Sequence, residues 1–328
     1  MATMTLSQAF QQGMREEMAR DSTIFVMGTD LAERGGHFGQ VQGLSQEFGA
    51  DRIRDTPISE SAMVAAGIGA AISGMRPVVD LNFIDFAYGA MDEILNQAAK
   101  IPAMYHLSLP LVIRGTAGVA GYAHQHNNTL EGVFGEVPGL SVVYPSTPDD
   151  ARGLLKQALR GTGPVVYLMH KKLTGAKGEV RVDEDVTIPF GVAATRRSGR
   201  HATVATYGFL VTEALKAAEL LAAGGIEVEV IDIRTTAPLD VSTIVESVKR
   251  TGRLIVFTEA PRYGGVGAEI VASVQDSAFA YLDAPVDRLE AARAPIPHSP
   301  SLVQALIPSA ATLVSAVRRS LDEWPASL

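Results

Sequence analysis

The sequence contains no cysteine among its 328 residues. Disulfides, thiolate zinc sites, iron–sulfur clusters and a cysteine nucleophile are therefore excluded, and the absence fits a reducing compartment. It also lacks a basic excess. With 28 Lys and Arg against 36 Asp and Glu, the formal charge is −8. A nucleic-acid or anionic-membrane partner would need a basic face, so neither is expected. No long apolar run stands out: the weakly polar stretch 62–75 is dotted with glycine and too short to span a bilayer. The first 21 residues lack the apolar core of a signal peptide and read as an amphipathic helix. A soluble, cytoplasmic protein is the expectation. What is present is ordinary globular material, 47 % hydrophobic and 20 % charged, in a chain long enough for two hydrophobic cores.

Short β-branched runs alternate with helix-length segments. Strands are predicted at 23–27, 78–81, 111–113, 141–144 and 165–168, and helices at 61–73, 88–100 and 147–159. Thr147 is placed to cap the last helix, with Pro148 in its first turn and Asp149 and Asp150 facing the positive end of the dipole. Such alternation predicts an α/β fold, a mostly parallel sheet with helices on both faces. The stretch 171–191 is rich in Lys, Glu, Asp and Gly without sustained period and reads as a linker. The alternation then resumes, with strands at 202–206, 227–233 and 254–258 and helices at 211–223, 241–249 and from 267 onward. Gly224-Gly225 closes the first of these helices. The resulting division is a first domain over 1–175, a linker over 176–198 and a smaller α/β domain over 199–328.

Parallel sheets offer ligand groups in the loops after their strands, and four segments there carry candidate chemistry. Asp55-Thr56-Pro57-Ile58-Ser59-Glu60-Ser61 opens a helix of small residues. Ser59 or Ser61 is placed to cap it, and Glu60 in its first turn is either a dipole-favoured carboxylate or a functional one. That helix has no charge for more than three turns and is expected to be buried, which would partly desolvate Glu60 and suit it to proton exchange. Asp80-Leu81-Asn82-Phe83-Ile84-Asp85-Phe86 ends a strand; its two Phe residues read as core or as a ligand platform. Downstream, Asp92, Asn96 and Lys100 share a helical stripe that reads as a polar face. The third segment runs from Arg114 through Gly115, Gly118 and Gly121 to His124-Gln125-His126-Asn127-Asn128. A loop histidine there suits acid/base chemistry better than metal ligation, since no carboxylate–histidine set of familiar spacing surrounds it. The glycine runs Gly264-Gly265-Val266-Gly267 and Gly67-Ile68-Gly69 imitate phosphate loops without the full motif or a Walker lysine, and tight packing explains them better.

Together these segments resemble a known family: the β subunits of the thiamine-diphosphate-dependent 2-oxo acid dehydrogenase E1 components, which include pyruvate, branched-chain and acetoin dehydrogenases. The resemblance rests on Arg54-Asp55-Thr56-Pro57-Ile58-Ser59-Glu60, Asp92-Glu93 with Asn96 to Lys100, Gln125-His126, and Pro138-Gly139-Leu140. It continues through Ile231 to Asp240, Thr251-Gly252-Arg253 and Gly264 to Ile270. It implies a transketolase-like pyrimidine-binding domain followed by a transketolase C-terminal-like domain. It places the family's catalytic glutamate at Glu60, against N1′ of the aminopyrimidine, where a carboxylic acid favours the imino tautomer that takes the thiazolium C2 proton. It places the stacking aromatic at Phe86, further pyrimidine contacts at Ile58 and Asn82, and the active-site histidine at His126.

The family binds its diphosphate through Mg²⁺ at a Gly-Asp-Gly motif, and no Gly-Asp-Gly occurs here. The resemblance therefore implies an α₂β₂ heterotetramer in which an α chain holds the Mg²⁺ and diphosphate. A second β chain pairs through the C-terminal domain, and a lipoyl-bearing E2 acyltransferase accepts the acyl unit. Three segments depart from the family pattern: Asn127-Asn128 replaces Ser-Gln, Met169 replaces a glutamate, and Val303 or Gln304 replaces an acid. Two other readings stand beside the E1 reading, a half-transketolase moving ketol units between sugars and a nucleotide-binding or electron-transfer α/β protein using the glycine runs.

Overall fold

A computed structural model describes residues 1–122 and 124–324. The chain forms two compact units, Met1–Ala117 with Phe134–Phe190, and Gly118–Val133 with Gly191–Leu328.

In the first unit the strands are β1 (Ala2–Thr5), β2 (Ile24–Gly28), β3 (Ile53–Asp55), β4 (Arg76–Phe83), β5 (Val112–Ala117), β6 (Ser141–Val143), β7 (Val165–His170) and β8 (Lys177–Val180). The order β6-β7-β5-β4-β2-β3 makes a sheet in which every pair is parallel. All six residues of β5 and all six of β7 are buried, which is why Val112-Ile113 and Val165 to Met169 read as continuous apolar runs rather than alternating ones. Each Val, Leu or Ile so buried is worth about 1.5–3 kcal/mol. The helices are α1 (Leu6–Arg20), α2 (Leu44–Phe48), α3 (Glu60–Ile72), α4 (Ile101–Tyr105), α5 (Glu131–Gly135), whose first three residues belong to the second unit, and α6 (Pro148–Arg160), with 3₁₀ and π turns over Ile84–Ala90 and Glu93–Ala98. Thr147 caps α6 as expected, its side chain accepting from the Asp150 amide with Pro148 in the first turn. The helix expected at 88–100 is instead this 3₁₀–π tandem. Its Asp92–Asn96–Lys100 stripe is nonetheless exposed and joined by side-chain hydrogen bonds of 2.6 Å each.

Two expectations change. Residues 2–5 are a strand, not helix, and β1 pairs antiparallel with β8. The stretch read as a linker thus carries β8, and the first unit runs to Phe190. Ion pairs and hydrogen bonds fasten it, beside the buried side chains of Val180 and Ile188. Asp149 takes the backbone N and Nε of Arg181, buried Arg152 donates to the Arg181 and Glu184 carbonyls, and Arg160 pairs with Asp185. A periodicity search for apolar residues is blind to such an attachment.

The second unit has β9 (Ala194–Arg197), β10 (Ala202–Thr206), β11 (Val228–Asp232), β12 (Thr235–Ala237), β13 (Leu254–Pro261) and β14 (Asp287–Ala291). Five of them form a sheet in the order β14-β13-β10-β11-β9, parallel except for β9. Its helices are α7 (Leu210–Ala222), α8 (Val241–Thr251), α9 (Val266–Ala278), α10 (Pro300–Leu306) and α11 (Ala310–Glu323). Val204, Val230 and Phe257 of the sheet share one core cluster with Leu221 of α7 and Leu313 and Val317 of α11. Pro300–Glu323 has the length and apolar composition of a membrane span. It is nevertheless two helices, since Ser309 starts α11 with a capping box to Thr312. The glycine run before α9 serves packing. A Cβ on Gly267 would lie 2.2 Å from a Glu290 carboxylate oxygen, and one on Gly265 2.9 Å from the Pro261 carbonyl. A carboxylate at that spot is no phosphate cradle.

Candidate functional site

The C-terminal end of β4 is built on a buried charge. Asp80 is 2 % exposed and Arg114, from neighbouring β5, is 0 % exposed; their Oδ1 and Nη1 lie 3.1 Å apart. Such a pair persists in a low-dielectric interior only if its remaining lone pairs are used. They are: Gln40 Nε2 donates to Asp80 Oδ2 at 2.7 Å and the Asn82 amide donates to Oδ1 at 2.8 Å. Arg114 Nη2 also reaches the Met169 sulfur at 3.4 Å. Met169 thus supplies a neutral neighbour to an arginine already neutralised by Asp80.

The Asp80 clamp shapes the backbone beyond it. The β4–β5 register shifts between Asp80 and Phe83, and Asn82 takes φ of +59°, the left-handed region that a non-glycine residue enters only when its surroundings hold it there. The same clamp fixes the loop before α2, because Gln40 Oε1 accepts from the Phe38 amide. His37, Phe38 and Phe83 consequently meet as an aromatic cluster with centroids 4.8 to 5.5 Å apart, and Phe86 stands edge-on to Phe83 at 6.2 Å.

Ile58, Glu60, Asn82 and Phe86 come together here. They line one cavity of about 210 Å³ with Thr29, Asp30, His37, Met63, Asp80, Leu81 and Phe83. Ile58 and Phe86 present apolar surface to it, at 77 % and 40 % exposure. Asn82 Oδ1 is buried with no hydrogen-bond partner among the described residues. Glu60 is the first residue of α3, half-buried, and its carboxylate makes no hydrogen bond or ion pair among the described residues. It therefore faces the cavity at the positive end of a 13-residue helix, with its lone pairs uncommitted. Neither serine caps α3: Ser59 makes no cap bond and Ser61 Oγ donates to Glu93 at 2.6 Å.

The expected burial of α3 holds for one face only. Met63, Val64, Gly67, Ile68 and Ala71 are buried, whereas Ala62, Ala65, Ala66, Gly69 and Ile72 are exposed. The chain carries no charge on a helix face that it leaves open.

His126 belongs to the second unit and is half-buried. Its loop is tied by Asn127, whose Oδ1 accepts from the amides of Ala120 and Gly121 at 3.0 Å each, while the Gly118 amide donates to the Asn128 carbonyl. Buried Glu259 accepts from the Val119 amide at 2.8 Å. Behind the loop, fully buried Glu131 accepts from the Tyr207 hydroxyl at 2.7 Å. Burial pushes the Glu131 carboxyl above its ordinary value. Asn127 thus serves as the loop's internal cap, a task that suits a side-chain amide oxygen with two lone pairs.

Sequence reasoning did not single out His37, Thr29 or Asp30 for this cavity, nor the Asp80–Arg114–Gln40 clamp beneath it. One signal was present: Arg34-Gly35-Gly36-His37-Phe38-Gly39 surrounds a histidine with glycines. Two of these, Gly35 and Gly36, have positive φ and leave no room for a side chain.

The chain matches the transketolase pyrimidine-binding domain over residues 2–177 and the transketolase C-terminal domain over residues 191–313. It is 42 % identical to the pyruvate dehydrogenase E1 component subunit beta of Rhizobium meliloti, over 97 % of this chain and 70 % of that one. It is likewise 42 % identical to the acetoin:2,6-dichlorophenolindophenol oxidoreductase subunit beta of Cupriavidus necator, over 97 % of both. With the 2-oxoisovalerate dehydrogenase subunit beta of Bacillus subtilis the identity is 41 %, over 92 % of this chain and 94 % of that one. Among solved structures, a split-gene transketolase described as an inactive β4 tetramer superposes with a TM-score of 0.82 over 98 % of this chain and 99 % of that one, at 22 % identity. That last likeness speaks for the fold. The chain belongs to the family of β subunits of thiamine-diphosphate-dependent 2-oxo acid dehydrogenase E1 components, with a transketolase pyrimidine-binding and a transketolase C-terminal domain.

Proposed function

We propose that this chain is the β subunit of a cytoplasmic thiamine-diphosphate enzyme. The enzyme decarboxylates a 2-oxo acid, or cleaves acetoin, and passes the acyl unit to a lipoyl carrier. The observation that carries the reading is the uncommitted Glu60 carboxylate at the head of α3, facing a cavity bounded by Ile58, Asn82 and Phe86. An aminopyrimidine ring suits these walls. Phe86 and Ile58 offer apolar faces for a flat ring, the partnerless Asn82 Oδ1 asks for an N–H donor, and Glu60 can exchange a proton with a ring nitrogen. When bound, thiamine diphosphate supplies the electron sink that a 2-oxo acid needs in order to lose carbon dioxide.

The protein's own work is then positional. Glu60 holds or releases one proton at N1′. Phe86 and Ile58 orient the ring and exclude water. The Asp80–Arg114 clamp keeps Asn82 in its left-handed conformation. His126 is proposed to handle protons or acyl transfer at the substrate end. Because no Gly-Asp-Gly occurs, Mg²⁺ and the diphosphate are assigned to an α chain in an α₂β₂ assembly, with a second β chain beside this one and a lipoyl-bearing E2 as acceptor.

The test is Glu60→Gln in the reconstituted heterotetramer. Loss of decarboxylation by two orders of magnitude or more, the usual scale for a general acid–base group, is expected with assembly intact by size-exclusion chromatography. Turnover at the wild-type rate would remove Glu60 from the mechanism.

A further inference from the structure

The second unit holds a larger cavity that the proposed reaction does not use. It has a volume of about 610 Å³, inside the range of small-molecule sites. It lies at the N-terminal edge of the parallel strands: Arg200 and His201 directly precede β10, and Gly252 and Arg253 directly precede β13. Four permanent cations line it, Arg200, Lys249, Arg250 and Arg253, with Asp283 as the acid in the same lining.

Part of this charge has a local purpose. Lys249 and Arg250 sit in the last turn of α8, where cations complement the carbonyl end of the helix. They are also paired with Glu246 at 2.8 Å and Glu229 at 2.5 Å. Arg253 is 4 % exposed; it donates to the Trp324 carbonyl and makes two long contacts, 3.5 Å to the Ser320 carbonyl and 3.5 Å to Asp283. A guanidinium carries five N–H donors, so this desolvated group keeps capacity for a further acceptor. Arg200 has no acidic partner among the described residues.

His201 makes the case specific. Its Nδ1 accepts from the Glu227 amide at 2.7 Å, which places the proton of the neutral ring on Nε2. Arg200 Nε approaches that same Nε2 at 3.4 Å. A neutral ring that accepts at Nδ1 carries its proton at Nε2 and cannot also accept the Arg200 Nε–H aimed at it, so two donors converge with no second acceptor between them among the described residues, an arrangement that an oxyanion resolves.

We propose that this cavity binds a phosphate-bearing small molecule, its oxyanion held by Arg200 and His201 with Arg253 behind, and its organic part against Tyr281 and Leu321. Tyr281 is half-exposed and already carries Lys249 over its ring at 5.7 Å, so it presents a flat apolar surface beside the charge.

The experiment is calorimetric titration of the full chain with inorganic pyrophosphate and with AMP, at fixed ionic strength, compared with Arg200→Ala/His201→Gln. Both substituted residues lie on the surface side of the cavity, and melting without probe checks that the fold is retained. Saturable binding that weakens about tenfold or more in the double variant, the scale of one lost charge-assisted contact, supports the site. Glu60→Gln should bind both probes as wild type does, which separates this cavity from the one at α3. Three results overturn the proposal: no saturable heat at millimolar probe, equal affinity in wild type and double variant, or binding of a poly-glutamate peptide where pyrophosphate and AMP fail. The last would make the basic cavity a docking point for an acidic protein segment.

Discussion

Removing Asp80 tests whether the buried clamp is what holds the candidate cofactor cavity in shape. In Asp80→Ala, Arg114 stays charged at 0 % exposure and loses its 3.1 Å partner, while the Gln40 amide and the Asn82 N–H lose theirs. An uncompensated buried charge costs about 3–5 kcal/mol. For a unit of this size that lowers the melting temperature by roughly 6–20 °C, taking about 2–4 °C per kcal/mol. Urea unfolding followed by far-UV circular dichroism reads the loss directly. The double variant Asp80→Leu/Arg114→Met removes both charges and should recover most of the stability, because apolar replacement of a buried pair is near neutral. Its cavity should still fail, since Asn82 and Gln40 lose the acceptor that orders them; tryptic cleavage after Arg34 should accelerate. A loss below about 1 kcal/mol in Asp80→Ala, the level of an exposed pair, would refute the claim that this ion pair organises the end of β4.

Other consequences follow from single contacts. Gly67→Ala should cost about 1–3 kcal/mol by overpacking, since its Cβ would lie 2.6 Å from Val79. Gly69→Ala, with nothing within 4 Å, should stabilise the isolated chain by about 0.5–1 kcal/mol; equal melting shifts would contradict the packing. Asn127→Ala releases two amides, and at about 1 kcal/mol per hydrogen bond the exchange of Ala120 and Gly121 should quicken on the order of tenfold. Unchanged protection by hydrogen-exchange mass spectrometry would free the loop from Asn127. Glu16 is the acid-sensitive member of the α1–α6 network. Burial works to raise its pKa, but hydrogen bonds from Arg152 and Lys156 outweigh that and hold it below the ordinary 4.5. The folded state thus binds its proton less readily than the unfolded state. Its contribution is present above about pH 4.5 and disappears as pH falls through the folded value. The stability gap between wild type and Glu16→Gln should therefore narrow on acidification; a gap constant from pH 6 to pH 3 would place the effect in packing instead.

The amino-acid sequence by itself carried the parallel sheets, because strands buried on both faces announce themselves as runs such as Val165 to Leu168, and helix starts such as Thr147-Pro148 obey local chemistry. It also carried the four residues Ile58, Glu60, Asn82 and Phe86 that line one cavity, through motif wording rather than spacing. Only the tertiary structure decided that residues 2–5 and 177–180 pair, because that pairing is a backbone ladder between segments far apart in the chain. It alone joined Gln40 and Arg114 to Asp80 across 40 and 34 residues, brought His37 to Phe83, and showed that the uncharged helix α3 is buried on one face and open on the other. The physical reason is the same throughout. Hydrophobic periodicity is a property of neighbours along the chain, whereas a buried charge finds its partners only where the folded backbone brings distant donors to it.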